Sequence, residues 1–431
     1  MPRLRGTLLI VRDEFATQAS NVAAYVEKIA HDLVAIRREL HTHPELAWQE
    51  QRTTGLIEDR LTSVGVACQR LPRSGLIADV GTGDGPVVAL RADMDALPVH
   101  DTTEDPWRST VPGVAHACGH DVHTTALLGA AHALAEMDAH GQLPGRVRLL
   151  FQPAEEVMPG GALGVISSGG LEGVSRLFAL HCDPTLDVGR VGLREGPITG
   201  AADALGVHLK GRGGHTSRPH NTQDLTYALA KIVSDLPAVL SRRLDPRAGA
   251  SVVWGEIRAG TAKNVIPSMG EAAGTVRMLD ADAWRAAREV ITTMIHELAA
   301  PYGVEVEVEY VRGVPPVVND STSIVLLASA ALSAIGEDAV TNTAQTLGGE
   351  DFAWYLESVP GAMARLGTRT PGGPTYDLHQ GNLRVDEGAV AVGAKLLAAA
   401  AVRSLDHAAV TLASEDGGLG KHRRSTDSIT N

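Results

Sequence analysis

The chain has 431 residues, of which 44% are hydrophobic and 21% charged, and its formal net charge is −13. This length exceeds the size at which one hydrophobic core usually stops growing, so two or three domains are expected. The acidic balance and the lack of a basic stripe among aromatic residues argue against nucleic acid as a partner.

Strands and helices alternate through the first part of the chain. Apolar residues at helical spacing predict helices at residues 20–40, 54–64 and 124–137, and short apolar runs predict strands at 76–80, 87–92, 147–151 and 177–180. This alternation predicts an α/β catalytic domain with a largely parallel central sheet flanked by helices. We assign residues 15–199 and 313–405 to it.

The pattern changes near Thr199, where a run of strand, loop, helix, strand, strand, helix and strand begins. Its last strand, at residues 304–311, alternates Val with Glu, as a strand with one buried face does. The change predicts an α+β domain inserted at residues 200–312. Helices return at 321–335 and 387–405, and the polar tail at 406–431 is predicted to be disordered.

Cysteine content and the N-terminus bear on the compartment. The three residues Cys68, Cys118 and Cys182 cannot all pair with one another, which favours a reducing environment. Charge returns too early for a signal peptide, and no stretch approaches the ~20 apolar residues of a membrane helix. We therefore predict a cytoplasmic protein without membrane contact.

The segment His116-Ala-Cys-Gly-His-Asp-Val-His123 carries five potential metal-binding side chains in eight residues. One glycine separates Cys118 from His120, so both heads can point to one side of an extended or turning backbone. The alternative is a loop with a buried cysteine and solvated histidines. We interpret His116, Asp121 and His123 as supporting residues.

Two adjacent acids, Glu155 and Glu156, follow the strand at 147–151, at the edge where ligands of open α/β sheets bind. One could hold a metal while the other carries a proton, although a solvated pair at a helix start is the alternative. The strand at 177–180 runs into His181. His379 follows a loop rich in Gly and Pro.

Together these segments provide one thiolate, three imidazoles and one carboxylate. Imidazole and thiolate favour zinc-like metals over magnesium or calcium. The Cys118 thiolate could bridge two ions, and a water between the ions would be a nucleophile at neutral pH. The set predicts metal-assisted hydrolysis.

Motifs along most of the chain match those of a known family, in the same order. The chain resembles the aminoacylase and carboxypeptidase family of di-metal hydrolases, and within it the amidohydrolase branch of N-acyl-L-amino acid amidohydrolases, hippurate hydrolases and indole-acetyl-amino acid hydrolases. The resemblance runs from about Ile36 to Leu397 and includes Arg38-Glu-Leu-His-Thr-His-Pro-Glu-Leu, Arg91-Ala-Asp-Met-Asp-Ala-Leu-Pro, His116-Ala-Cys-Gly-His-Asp, Pro153-Ala-Glu-Glu, Gly213-Gly-His, Asn264-Val-Ile-Pro, Gly274-Thr-Val-Arg and Gly349-Glu-Asp-Phe.

The resemblance implies two divalent ions per subunit, which could be Zn, Mn, Co or Ni. It implies metal ligation by Cys118, His120, Glu156, His181 and His379. Glu155 would be the general base and then the general acid, so that a metal-bound water hydrolyses the amide bond of an N-acyl amino acid. The alternatives are a dipeptidase or carboxypeptidase on the same metal centre, or a non-catalytic metal- or ligand-binding protein.

The resemblance also assigns residues in the inserted domain. His215 would reach the active site of the partner subunit, which makes this domain both lid and interface of a homodimer. Asn264 and Arg277 match positions that bind the substrate carboxylate, although Arg277 could instead form a structural ion pair. Asp93 and Asp95 would orient ligands or cap turns.

The chain departs from the branch pattern at two places. Val122 stands where a glycine is usual, and Gln380-Gly-Asn-Leu383 replaces a segment with a Pro and a Phe. Both changes lie beside predicted ligands, so the sequence leaves the acyl-group preference open.

Overall fold

The protein is described by a computed structural model that covers residues 2–81 and 85–422. The chain separates into two compact units. The larger unit comprises the described residues of Met1–Glu195, Asn319–Thr343 and Tyr355–Asn431, and the smaller unit comprises Gly196–Val318 and Ala344–Trp354.

The helices are α1 (Pro2–Thr42), α2 (Gln51–Thr62), α3 (His120–Ala139), α4 (Ala162–Ser167), α5 (Leu225–Arg243), α6 (Ala281–Ala299), α7 (Ser321–Ala334), α8 (Ala353–Leu356) and α9 (Gly388–His422). The strands are β1 (Cys68–Arg70), β2 (Leu76–Val80), β3 (Val87–Asp93), β4 (Arg146–Gln152), β5 (Val174–Asp187), β6 (Val191–Leu193), β7 (Gly196–Pro197), β8 (Ala201–Lys210), β9 (Gly214–His215), β10 (Ser251–Ala259), β11 (Val265–Ile266), β12 (Met269–Met278), β13 (Glu305–Val314), β14 (Val318–Asn319), β15 (Val340–Asn342) and β16 (Gly361–Arg369).

The larger unit is built on an eight-stranded sheet in the order β1-β2-β4-β3-β5-β16-β6-β15. Its central strands β4, β3, β5 and β16 are mutually parallel, and antiparallel pairs lie towards the edges. Strand β3 is buried along its whole length, as expected for a parallel strand covered on both faces. The predicted α/β class with a largely parallel sheet is confirmed.

Helices α1, α3, α7 and α9 pack on one another, and α3 and α9 also contact β3 and β5. Their contact surfaces are rich in alanine, and α9 alone buries Ala394, Ala398, Ala399, Ala400 and Ala401. Small side chains let helix axes approach closely, which explains how a chain with 3% aromatic residues fills this core.

Helix α9 corrects two expectations. It continues to His422, so the tail is helical where disorder was predicted from residue 406, and residues 423–431 lie outside the described part of the chain. Its segment Gly388–Ala409 is also long and apolar enough to cross a membrane, contrary to the sequence-based expectation. However, 72% of its apolar window is buried inside the protein, as in a core helix.

The smaller unit has an antiparallel sheet in the order β10-β12-β8-β13, with helices α5 and α6 packed on it. In β13 Val306, Val308 and Tyr310 are less exposed than the Glu side chains that alternate with them, as the alternating pattern predicts, whereas Val311 is exposed. Asp224 and Asp280 cap α5 and α6 by accepting backbone N–H bonds. The predicted α+β character of the insertion is confirmed.

Candidate metal centre and active site

Cys118 and His120 lie on either side of a tight turn into α3. The helix begins at His120, and the preceding Gly119 has a φ of +87°, which favours glycine. A Cβ at Gly119 would lie 2.7 Å from Cys182 Sγ, so a larger residue does not fit. The Cys-Gly-His sequence thus enters the helix directly and leaves both donor side chains buried.

His181 is held in one tautomer by the backbone. Its Nδ1 lies 2.8 Å from the carbonyl oxygen of Cys182, which can only accept, so Nδ1 carries the proton and Nε2 presents its lone pair. Nε2 lies 3.5 Å from Cys118 Sγ. The expectation that the strand ends before His181 is wrong, since β5 continues to pair with β16 as far as Asp187.

Glu156 lies between two imidazoles. Its Oε1 is 3.7 Å from His120 Nε2 and 3.4 Å from His379 Nε2. The φ of His379 is +62°, a strained value for a residue with a Cβ, and its N–H donates to the Ala117 carbonyl over 2.7 Å. This hydrogen bond fixes His379 to the residue that precedes Cys118.

The five predicted ligands form two groups that share one sulfur. The donor atoms of Cys118, His120 and His181 all lie within 4.8 Å of one another, and so do those of Cys118, Glu156 and His379. A thiolate common to both groups can bridge two cations. The structure therefore brings together donors from four separate segments of the larger unit.

The donor groups change one another's proton affinity. Burial raises the pKa of the Cys118 thiol. The neighbouring Cys118 and Glu156 side chains raise the pKa of His379 to about 10. Burial favours neutral His120, but Asp93, Asp95 and Cys118 together outweigh it and raise the pKa of this imidazole well above its ordinary value. The acidic groups around His120 and His379 thus favour positive charge at these two residues, as they would favour a divalent cation.

Buried donor atoms also fit a cation. Within residues 2–81 and 85–422, His120 Nε2 and Glu156 Oε1 are buried and have no hydrogen-bond partner. Buried polar atoms almost always have partners, so these two atoms indicate a missing ligand of the protein. Imidazole, thiolate and carboxylate are the donors that zinc-like ions prefer.

Asp95 holds the two acids and His120 together. Its Oδ1 accepts the N–H of Glu155 over 3.0 Å, and its Oδ2 accepts the N–H of Glu156 over 2.9 Å. Oδ1 also lies 3.3 Å from His120 Nδ1. These contacts agree with the interpretation of Asp95 as an orienting residue.

Asp93 and His123 form a second buried pair behind His120. His123 Nε2 accepts the N–H of Cys182, so its Nδ1 carries the proton and donates to Asp93 over 2.6 Å. Arg91 donates to the other oxygen of Asp93 over 2.6 Å. His123 is thus a supporting residue, as interpreted from the sequence.

A buried network that the sequence analysis did not identify anchors the first turn of α3. Asp121 Oδ2 lies 2.7 Å from Arg37 Nε and 2.8 Å from His41 Nδ1. His41 Nε2 in turn lies 3.5 Å from Asp101. The spacing of Arg37 and His41, four residues apart on α1, is the one signal of this network in the sequence.

Glu155 lies beside the donor cluster and is buried. One of its oxygens lies within 4.8 Å of donor atoms of His120 and Glu156. A carboxylate in this position can take up and release a proton next to a bound cation.

His215 and Asn264 are neighbours in the smaller unit, and both are exposed. Val265 in β11 pairs with His215 in β9, and the Asn264 carbonyl accepts the N–H of Thr216. The backbone N–H of Ser217 donates to His215 Nδ1 over 3.1 Å, so the neutral ring carries its proton on Nε2. His215 therefore presents a hydrogen-bond donor outwards.

Arg277 is half-buried and lies elsewhere in this unit. It pairs with Ala202 and Ser251 near the end of β12, whereas the loop with Asn264 precedes the start of that strand at Met269. Eight residues of strand separate the two ends by roughly 27 Å. Arg277 and Asn264 are thus not brought together within one chain, and Arg277 Nη1 donates to the Leu347 carbonyl.

Comparison with known proteins gives the family. The sequence profile described as Peptidase family M20/M25/M40 matches residues 89–403. The N-acetylcysteine deacetylase of Bacillus subtilis is 39% identical over 377 residues, which are 87% of this chain and 97% of the relative. The B. subtilis YxeP protein, described as a dinuclear metal binding peptidase of the M20 family, superposes with a TM-score of 0.76 at 36% identity and covers 88% of this chain and 99% of its own.

A Rhodococcus jostii protein with the provisional name glutamate–cysteine ligase 2-3 is 49% identical over 368 residues. The match covers 85% of this chain but 46% of that relative, so the chain spans about half of its length.

Proposed function

The chain belongs to peptidase family M20/M25/M40 and is a metal-dependent hydrolase, and from this premise we propose that it cleaves the amide bond of N-acyl amino acids. The products would be a carboxylic acid and a free amino acid. The observation that carries the proposal is the pair of donor groups sharing Cys118, with the Glu155 carboxylate beside them.

The ions would be held by the two groups that share Cys118, with His120 and His181 in one group and Glu156 and His379 in the other. When bound, divalent ions of the Zn, Mn, Co or Ni type polarise a carbonyl oxygen and lower the pKa of water. The Cys182 carbonyl holds the Nδ1 proton of His181, and the Asp95 carboxylate lies beside Nδ1 of His120. Both contacts leave Nε2 of the imidazole available to bind a metal ion.

Glu155 would act first as a base and then as an acid. Its carboxylate takes a proton from the attacking water and later delivers it to the departing amine nitrogen. The backbone N–H groups of Glu155 and Glu156 donate to the Asp95 carboxylate, which fixes the two acids on one short segment and supports separate roles for them.

The smaller unit would supply the remaining donors as the lid and interface of a homodimer. The outward Nε2–H of His215 suits a negative oxygen in the tetrahedral transition state, in the partner subunit's active site. Arg277 would bind the substrate carboxylate through guanidinium donors that Leu347 does not use. Asn264 adjoins His215, so we assign both residues to the partner's site.

The relatives support this substrate class. The B. subtilis relative is named for the deacetylation of N-acetylcysteine. We therefore place N-acyl amino acids ahead of peptides, with N-acyl cysteines as the first to try.

A substrate panel tests the proposal. It contains N-acetyl, N-benzoyl and indole-acetyl amino acids, N-acetylcysteine, γ-glutamylcysteine and ordinary dipeptides, each assayed with zinc, manganese, cobalt or nickel. Release of the free amino acid from at least one N-acyl substrate is expected. Cleavage of dipeptides alone would instead support the peptidase alternative.

Elemental analysis tests the metal ligands separately. Cys118→Ser should reduce the metal content of the purified protein, because the hydroxyl is a poor replacement for a thiolate shared by two donor groups. Cys68→Ser is the matched control, since that thiol lies outside both donor groups and accordingly should leave the metal content unchanged.

A further inference from the structure

Two buried carboxylates accept three successive backbone N–H groups at residues 154–156. Glu50 Oε1 accepts the N–H of Ala154 over 2.8 Å. Asp95 accepts the next two, from Glu155 and Glu156. The short segment with the general base and a metal ligand is therefore fixed by charged acceptors at every peptide nitrogen.

Ala154 has an unusual backbone conformation. Its φ is +56°, in the left-handed region that residues with a Cβ rarely adopt, and the residue is fully buried. The Ala154 carbonyl accepts the N–H of Gly161 over 3.1 Å, so hydrogen bonds hold both sides of this residue. Strain of this kind persists only where the surroundings impose it, and it concentrates at functional sites.

The Glu50 side chain binds this segment. It is fully buried and occupies the N-cap position of α2, yet its carboxylate does not cap that helix. One oxygen accepts from Ala154, and the other accepts the Ser74 hydroxyl over 2.6 Å. Oε1 thus holds the loop in front of Glu155, more than a hundred residues away in sequence, while the contact of Oε2 with Ser74 fixes the Glu50 side chain.

We propose that Glu50 is a positioning residue for the amide hydrolysis, which keeps Ala154 in its left-handed conformation and thereby sets the direction of the Glu155 side chain. The proposal rests on the proposed function of Glu155. Glu50 belongs to neither of the two donor groups, and its contact with this segment is the hydrogen bond from the Ala154 backbone N–H.

Four variants test this role. Glu50→Ala removes the acceptor, and Glu50→Asp keeps the charge but shortens its reach. Glu50→Gln keeps the shape, since its amide oxygen can accept from Ala154 while its NH₂ donates to Ser74 Oγ. Ala154→Gly permits the left-handed conformation without strain.

Glu50→Ala and Glu50→Asp should each lower kcat about 10-fold or more, with KM and metal content close to wild type. The kcat of Glu50→Gln should be within about threefold of the wild-type value. Adding Ala154→Gly to Glu50→Ala or to Glu50→Asp should raise kcat at least about threefold. If Glu50→Ala does not fold, the comparison of Glu50→Asp with and without Ala154→Gly tests the proposal. A kcat within twofold of wild type, a loss of metal that matches the loss of activity, or no recovery by Ala154→Gly would each overturn the proposal.

Hydrogen exchange gives a readout that does not depend on turnover. The amide of Ala154 should exchange faster in Glu50→Ala and Glu50→Asp than in wild type, and Glu50→Gln should restore its protection. Unchanged exchange in the two impaired variants would refute the positioning role. If wild type cleaves no N-acyl substrate, the proposed function fails while this measurement still tests the contact.

Discussion

Individual side chains in the site have their protonation fixed by groups that can only donate or only accept. His181 and His123 are neighbours in space, with ring centroids 5.3 Å apart, yet the backbone of Cys182 assigns them opposite roles. Its carbonyl accepts a hydrogen bond from His181 Nδ1–H, and its N–H donates to His123 Nε2. One residue thus leaves Nε2 of one imidazole as a candidate metal donor and makes the other imidazole a partner for Asp93.

The proposed role of Glu155 as general base leads to a direct prediction. Glu155→Gln keeps the shape of the side chain but cannot accept the proton, so kcat should fall by about 10²–10⁴-fold. Metal content should remain at the wild-type value, because the donor atoms of both groups that share Cys118 are intact. Kinetics together with elemental analysis checks both points. Turnover within a few fold of wild type would exclude Glu155 as the base.

Short segments, rather than whole elements, position the donors. Gly381, in the segment that departs from the branch pattern, packs against residues before α3. Its carbonyl accepts the N–H of Thr102, and a Cβ at this glycine would lie 1.9 Å from the carbonyl oxygen of His100. The segment that departs from the branch pattern therefore packs the loop that carries His379 against the residues before α3.

Gly381→Ala should displace this loop. The clash is with backbone, so the loop must move, and the affinity for metal should fall by about 10–100-fold, as for other changes behind metal ligands. Metal titration of the purified variant measures this. Gly164→Ala is the control, because no atom lies within 4 Å of the added Cβ. Equal affinities in the two variants would contradict the docking role.

The sequence indicated most elements but not all. The helices α2, α5, α6 and α7 were predicted closely because they have a helical period of apolar residues, and the strands β2, β3 and β4 because each is a short continuous apolar run. Strand β16 was missed, although it lies beside β5 in the centre of the sheet. Its sequence, Gly-Ala-Met-Ala-Arg-Leu-Gly-Thr-Arg, combines small residues with charges, and only its buried position between two strands makes it a strand.

Some residues of the site could likewise be predicted from the sequence and others could not. Candidate donors such as Cys118 and Glu156 could be named from the sequence because their chemistry is visible in a motif, and the structure brings them together. Glu50 and Arg37 were not, since their roles depend on contacts with residues more than eighty positions away, which no local pattern encodes.

For the whole molecule, a mixed dimer tests whether His215 acts on its partner. Glu155→Gln and His215→Ala should each be nearly inactive alone. In a dimer of one subunit of each kind, one site regains both residues, so about half of the wild-type activity should return. Differently tagged subunits, purified together, provide the sample. No recovery in the mixed dimer would mean that His215 works within its own chain or not at all.

The buried network between α1, α3 and residue 101 predicts how stability changes with pH. Burial opposes the charged form of Asp101, but hydrogen bonds from His41, Ser109 and Thr103 outweigh it and hold the pKa of this carboxyl well below its ordinary value. A pKa that is lower in the folded state stabilises the protein above the unfolded value of about 3.9, and this contribution is lost as the pH falls below it.

The midpoint temperature of thermal unfolding should therefore decrease when the pH is lowered from 5 to 3. This decrease should be smaller by about 2–4 °C in Asp101→Asn. Asp59→Asn, a change at an exposed carboxylate in α2, is the control and should follow the wild type. The assignment fails if Asp101→Asn loses as much stability as wild type over this range.

The two donor groups that share Cys118 differ in their access to solvent. Cys118, His120 and His181 are each at most 8% exposed, whereas the side chain of His379 is 55% exposed. Ion loss to a chelator should therefore be stepwise, with the outer ion leaving first and a singly loaded protein persisting for a time. Because the inner ion still holds the thiolate in that state, Cys118 would resist alkylation until the second step. The protein would lose catalysis before it loses the protection of its one essential thiol.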